Sequence, residues 1–320
     1  MKKNMKAYSF LLTVCLLLAL VVPQHAVGYA DAVSIFDDEI QIFSKCLTTG
    51  EETTQSFGGA QNALSYSSSS TPITSVDPVY PSWMTEEVDT GGIGISPFTI
   101  IGNDDRTRVT NTAAFPFCAI VHVETTWPNG EVANGSGFMW TDRVVITAGH
   151  VVYDSSRGGW AKSIRVWPGR DGTTIRSGPH NGWWAHAGGG FVSSGKQDED
   201  YGVIELSTAP DVGAFGMSVE SNSTLNSLFV TVAGYPSPVP TGQTARTMWQ
   251  HSGNTTSPTT SKIFYPIDTT TGQSGSPVYK SGSYAVGIHA HGTGGTGTSA
   301  NNNSGVRITQ DLFNWFMTFK

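Results

Sequence analysis

The chain has 320 residues, 18 of them basic and 25 acidic, for a formal net charge of −7. That balance provides no basic surface for nucleic acid. No repeat with a period of about 20–50 residues is visible, which excludes a solenoid or a propeller.

The first 30 residues read as a secretory signal. Lys2, Lys3 and Lys6 form a basic start, and Phe10–Val22 is an apolar run that ends at Pro23. The run is too short to span a bilayer. Small residues follow at Ala26, Gly28 and Ala30, where a signal peptidase is expected to cut. The expected location is therefore extracellular.

Residues 31–98 carry ten acidic side chains and one basic one, Lys45. They are rich in Ser and Thr from Thr53 to Thr71. This acidic stretch reads as a pro-segment with a linker running to about Phe98. Cys15 lies in the signal, and loss of Cys46 with the pro-segment would leave Cys118 alone. The mature protein is then expected to rely on its core and not on a disulfide. Cys118 reads as a small buried hydrophobe, not a nucleophile.

From Thr99 onward the pattern is short apolar runs divided by Gly, Pro, Asn and Ser. Strands are predicted at Ala119–Val123, Arg143–Thr147, Gly202–Leu206, Phe229–Ala233, Pro277–Tyr279, Tyr284–Ile288 and Val306–Thr309. Many short strands at this spacing predict an all-β sandwich or barrel. Leu312, Phe313, Phe316 and Met317 recur at helical spacing, so a short helix is predicted over Asp311–Phe319. Trp160, Trp167, Trp183, Trp184 and Trp249 read as core and loop packing and not as a stacking platform.

Three motifs carry chemistry. A hydrolytic serine needs a base, a group that orients the base, and donors for the oxyanion. Thr271–Pro277 (TGQSGSP) places Ser274 in a glycine-rich turn. Such a turn can aim the N–H groups of Gly272 and Ser274 at one oxyanion position. Thr147–His150 (TAGH) ends an apolar strand and presents His150 as the base. His122, His180, His186 and His251 have no comparable context. Asp200 opens the apolar run Asp200–Leu206 and is preferred as the orienting carboxylate over Asp198 and Glu199. The order His–Asp–Ser is the chymotrypsin order, not that of subtilisin or the α/β-hydrolases.

Residues 99–320 resemble the glutamyl endopeptidase family of secreted bacterial serine proteases. The resemblance rests on these motifs, on Ile101–Arg108 (IGNDDRTR) and on Val306–Thr309 (VRIT). It implies a chymotrypsin-like protein of two antiparallel six-stranded β-barrels, split near residue 212, with the site in the cleft between them. It also implies a removed pro-segment, protein or peptide substrates and a monomer. One departure is visible. Several bacillus-type relatives have a cysteine directly after the histidine and a partner upstream. Val151 stands in the first place here, and Gly135 or Ser136 in the second.

Two residues compete to set specificity. Asp268, six before Ser274, has the offset of the trypsin-like residue that binds Lys or Arg. The resemblance instead assigns His289 and Thr269 to the carboxylate of a P1 glutamate, with aspartate weaker, and implies a mature start at Thr99 near that pocket. The residue before Ser274 is Gln273, which has no charge to pair with a new N-terminal ammonium. Phe98 precedes Thr99, so the final cut is expected from another protease, with earlier self-cleavage after Glu86 or Glu87. If its strand continues, His291 is expected to face the cleft. His289 and His291 have no accompanying carboxylate motif and are not read as a metal pair. No organic or redox cofactor is expected, and a structural calcium ion is compatible with the chain although no EF-hand loop appears. Trypsin-like specificity and a non-catalytic binding protein on the same scaffold stand as alternatives.

Overall fold

A computed structural model describes residues 40–57, 73–83, 100–293 and 301–320. The predicted signal, the cut sites near Glu86 and Phe98, and Thr99 lie outside the described residues. Among the described residues no helix is long and apolar enough to cross a membrane.

The strands in chain order begin with β1 (Ile40–Cys46), β2 (Glu52–Phe57), β3 (Ser75–Val76) and β4 (Thr107–Arg108). Then come β5 (Ile120–Thr126), β6 (Val132–Met139), β7 (Val144–Thr147), β8 (Tyr153–Asp154), β9 (Gly159–Trp160), β10 (Ser163–Pro168), β11 (His180–Gly188) and β12 (Gly202–Leu206). The later ones are β13 (Gly216–Ser218), β14 (Phe229–Gly234), β15 (Trp249–Asn254), β16 (Lys262–Tyr265), β17 (Pro277–Lys280), β18 (Tyr284–His291) and β19 (Asn303–Arg307). Helices α1 (Gly149–Val152), α2 (Gly189–Ser194), α3 (Asn222–Leu225) and α4 (Gln310–Met317) are short.

The first sheet runs β10-β5-β6-β7-β12-β11, and a further β10–β11 pairing closes it into a six-stranded barrel. Its strands are antiparallel. β7 is buried along its whole length, so its run of Val144, Val145 and Ile146 reads as unbroken apolar sequence and not as alternation. β-branched side chains suit such a strand because they lose little rotamer freedom on a pleated surface. The second sheet runs β16-β19-β18-β17-β14-β15-β4. A bridge between Thr256 and Phe264 joins the hairpin of β15 and β16, with Thr256 N donating to Phe264 O at 2.7 Å.

Each predicted strand has a counterpart, some longer than the sequence indicated, but the last runs over Asn303–Arg307 and not Val306–Thr309, because Thr309 caps the final helix. β11 was not predicted. Its sequence, HNGWWAHAG, mixes polar residues and glycine with tryptophan, and its alternation is hidden. The tryptophans at 160, 167 and 249 are buried as packing residues, whereas Trp183 is exposed. Cys118 is buried, its Sγ donates to Val212 O, and desolvation pushes its thiol up to about 12, so it is not a thiolate.

The acidic stretch before residue 99 is more structured than its composition indicated. β1 and β2 form a hairpin added to β11 of the first sheet. Residues 73–83 lie against the second sheet, where β3 pairs with β13. Val79 and Ala214 exchange two backbone hydrogen bonds.

The predicted C-terminal helix is α4. Thr309 caps it by accepting from Leu312 N at 3.2 Å, and Leu312, Phe313, Trp315 and Phe316 are buried. Trp140 Nε1 donates to Phe316 O, which ties the helix end to the first sheet. Thr309→Ala removes the cap and is expected to cost about 1 kcal/mol of stability. Urea unfolding of the two proteins measures it, and an unchanged midpoint would show that the cap is idle.

Candidate active site

β7 ends at Thr147 and the chain turns into α1, whose second residue is His150. The backbone N–H of His150 donates to Asp200 Oδ1 at 2.8 Å, and its ring Nδ1 lies 2.8 Å from Asp200 Oδ2. A carboxylate only accepts, so Nδ1 carries the proton and Nε2 is left with its lone pair. The imidazole is about a third exposed while Asp200 is buried at 1%. Asp200 follows a single 3₁₀ turn, Gln197–Glu199, and directly precedes Tyr201 and β12. Its rivals are engaged elsewhere. Asp198 accepts from the Ser261 hydroxyl at 2.6 Å, and Glu199 accepts from Gly190 N and Lys196 Nζ, both at 2.7 Å.

Burial opposes charge on the His150 ring, but the charge and hydrogen bond of Asp200, with Asp154 adding to them, outweigh it. The net effect holds His150 above the ordinary histidine value. Burial likewise opposes the Asp200 carboxylate, and the charge and hydrogen bonds of His150, together with His291, bring it below the usual carboxylate value. His291 does not simply face the open cleft. Its Nε2 is 3.4 Å from Asp200 Oδ2 and 3.4 Å from Gln197 O.

Ser274 sits in the tight turn before β17. Gly272 and Gly275 both have φ of +89°, a conformation that side chains disfavour. A Cβ at Gly275 would lie 2.2 Å from Thr147 Oγ1 and 3.0 Å from Ala148 N. The serine turn is therefore pressed against the strand end that carries His150. Gly275 N donates to His289 O at 2.7 Å, so the same turn also touches His289. No hydrogen bond joins Ser274 Oγ to His150 among the described residues, and such bonds are often loose before substrate arrives.

Two residues that the sequence did not single out hold this turn. Ser136 is fully buried. Its N–H donates to Ser274 O, its hydroxyl donates to Gly272 O, and the hydroxyl oxygen accepts from Tyr235 N, each at 2.8 Å. Arg106 is also fully buried and forms two side-chain hydrogen bonds to Asp104, at 2.7 and 2.9 Å. Its Nη1 donates to Thr270 Oγ1 at 2.7 Å and to Gln273 Oε1 at 3.0 Å. Gln273 Oε1 also accepts from Thr270 N at 2.9 Å. Ser136 appeared in the sequence only as the place of a missing cysteine, and Arg106 only as part of a resemblance.

Asp268 does not line an open pocket. Its carboxylate accepts from Ile101 N at 2.7 Å and from Asp105 N at 2.9 Å, and it is 1% exposed. Asp105, His251 and Asp268 bring potential metal-ligand atoms within 4.8 Å of one another. Both Asp268 oxygens already accept backbone N–H groups, and His251 Nδ1 accepts from Asp268 N at 2.9 Å. The trio anchors the segment from Ile101 to Asp105 and fits an ion poorly.

His289 lies on β18 with 4% exposure, and its Nδ1 is 2.8 Å from the Tyr265 hydroxyl. Desolvation, reinforced by the neighbouring His291 and His150, lowers it to about 3, so the ring is neutral. Thr269 is buried just before the serine turn. A cavity of about 530 Å³ opens beside His150, walled by Tyr153, Asp154, Phe191 and Val192.

A model of the trypsin-like peptidase domain matches residues 135–288. The chain is 39% identical over 231 residues to the glutamyl endopeptidase of Bacillus licheniformis, covering 68% of this chain and 69% of that protein. It is 35% identical over 227 residues to a Bacillus subtilis protein named extracellular metalloprotease, covering 69% of each. A solved Glu endopeptidase in complex with MPD superposes with a TM-score of 0.60 at 26% identity, covering 69% of this chain and 98% of that one. Fold and matches together define a serine peptidase of chymotrypsin-like architecture. Within that class the chain belongs to the glutamyl endopeptidase family.

The buried Arg106–Asp104 pair generates a test. Arg106→Met strands a buried carboxylate and is expected to cost about 3–5 kcal/mol. Arg106→Met combined with Asp104→Leu is expected to recover part of that loss. Denaturant unfolding of both variants checks it, and a double variant no more stable than the single one refutes the pairing.

Proposed function

We propose that this chain is a secreted endopeptidase that cleaves after glutamate, and more weakly after aspartate, through a triad of His150, Asp200 and Ser274. The observation that carries the triad is the doubly bonded Asp200–His150 pair with the serine turn pressed on the same strand end. Ser274 Oγ attacks the carbonyl carbon while His150 Nε2 takes its proton. Asp200 keeps the proton of the imidazole on Nδ1 and stabilises the imidazolium. The N–H groups of Gly272 and Ser274 hold the oxyanion. His150 then returns the proton to the leaving amine, and water releases the acyl-enzyme by the reverse sequence.

His289 and Thr269 are the proposed contacts for the glutamate carboxylate, joined by the N-terminus that cleavage before Thr99 would create. A neutral His289 offers an N–H to the carboxylate, and the arriving negative charge favours protonation of the ring. The Asp268 geometry supports glutamate over a basic residue, because both carboxylate oxygens already bind the backbone of residues 101 and 105. The similarity to the Bacillus licheniformis glutamyl endopeptidase supports the same choice.

We read residues 1–30 as a signal, 31–98 as a pro-segment and 99–320 as the protease, divided near 212. The Thr256–Phe264 bridge supports reading the second sheet as a second six-stranded barrel.

Digestion of a denatured protein mixture by the mature enzyme tests specificity, with cut sites read by mass spectrometry. Cuts after Glu are expected, and Ser274→Ala is expected to lower kcat by roughly six orders of magnitude. Cuts after Lys and Arg would overturn the His289 assignment. No cleavage at all would leave a binding protein on a protease scaffold.

The pH dependence follows from His150. The base works only when neutral, and Asp200 raises its pKa. Activity is therefore low below that pKa and rises as the pH climbs through it. The acid limb of kcat/KM on an uncharged-P1 ester substrate is expected to lie above about 6.5, the unperturbed histidine value. A limb below that value would contradict the Asp200 contribution.

A further inference from the structure

Part of the acidic stretch before residue 99 is built into the first sheet. β10 and β11 close the barrel through two residue pairs, Arg165–Asn181 and Val166–His180. Further along the same strand, β1 pairs with β11 over five residues, from Ile42–Gly188 to Cys46–Trp184. β1 therefore extends a seam that β10 leaves short. Its inward side chains are buried: Ile42 has no exposure, and Ser44 and Cys46 have 3% each. Ile42 belongs to the main hydrophobic core cluster. The Ser44 hydroxyl bonds His186 Nδ1 at 2.8 Å, and His186 Nε2 bonds Glu205 of β12 at 2.9 Å. β2 pairs with β1 over six residues and covers its other edge.

The hairpin also backs one wall of the cavity beside His150. A Cβ at Gly189, the first residue of α2, would lie 2.7 Å from Gln41 Cβ and 2.8 Å from Phe43 Cε2. Two and three residues on, Phe191 and Val192 line the cavity.

We propose that the β11 edge is a binding surface for this chain's own hairpin, Ile40–Phe57, and that the hairpin remains bound non-covalently when the backbone after it is cut. Paired main chain with an apolar anchor is how an added strand is held on an open sheet edge. An uncovered edge from Trp184 to Gly188 would present bare N–H and C=O groups. The bound hairpin covers that edge and steadies the start of α2.

The test uses the full-length Ser274→Ala protein with a site for a foreign protease inserted within residues 58–72, so its outcome does not depend on the proposed catalysis. After cleavage confirmed by mass spectrometry, the N-terminal fragment is expected to co-elute with the body in gel filtration at low micromolar concentration. Hydrogen exchange at residues 184–194 is expected to stay as slow as in the uncut protein. Ile42→Asp places a carboxylate among core side chains and is expected to weaken retention on the order of a hundredfold. The fragment then separates, and exchange at residues 184–194 speeds up. Separation of the unmodified fragment would overturn the proposal. Co-elution of the Ile42→Asp fragment would overturn it too, because it would show attachment that does not use the sheet register.

Discussion

The segment from Ile101 to Arg106 is anchored by two buried charges, and the turn containing Ser274 depends on both. Asp268 captures the backbone N–H groups of Ile101 and Asp105. Arg106 then reaches back from the same segment to Thr270 and Gln273. A guanidinium suits this task because its planar fork serves several acceptors at once. Buried without partners it would be very costly, and Asp104 supplies the countercharge. Gln273, the residue before Ser274, is neutral, and its side-chain carbonyl accepts from the Arg106 guanidinium. The turn is thus tied to Arg106.

On the other side, Ser136 gathers the backbone of the turn. One serine engages the carbonyls of Gly272 and Ser274 and the N–H of Tyr235. It lies in β6, next to the strand that delivers His150. The site therefore joins the two sheets through backbone hydrogen bonds and close glycine packing.

The electrostatics around that pair are asymmetric. Asp200 meets His150 at 2.8 Å and His291 at 3.4 Å, so one buried carboxylate faces two imidazoles. His289, further inside, is held neutral by desolvation and by the same histidine neighbours. His150 is raised because its hydrogen bond and ion pair with Asp200 outweigh burial, whereas at His289 desolvation wins.

Much of this was legible in the sequence. The apolar runs at 144–147 and 202–206 announced strands, and the glycines around Ser274 announced a turn. The Leu312, Phe313 and Phe316 spacing announced the final helix. Local patterns carry such information because a strand, a turn or a helix face is specified within a few residues. The order His–Asp–Ser pointed to the architecture, and the choice of Asp200 over its neighbours agrees with where those neighbours' hydrogen bonds go. Contacts between distant residues were decided only by the tertiary structure. Asp268 had the offset of a basic-specificity residue, yet its carboxylate is consumed by residues far earlier in the chain. Arg106 and Ser136 carried no local signal for the serine turn, because the turn residues they hold lie more than a hundred residues away. The hairpin at 40–57 looked like part of an acidic pro-segment without strands, because a strand added to an edge takes its meaning from the strand it joins.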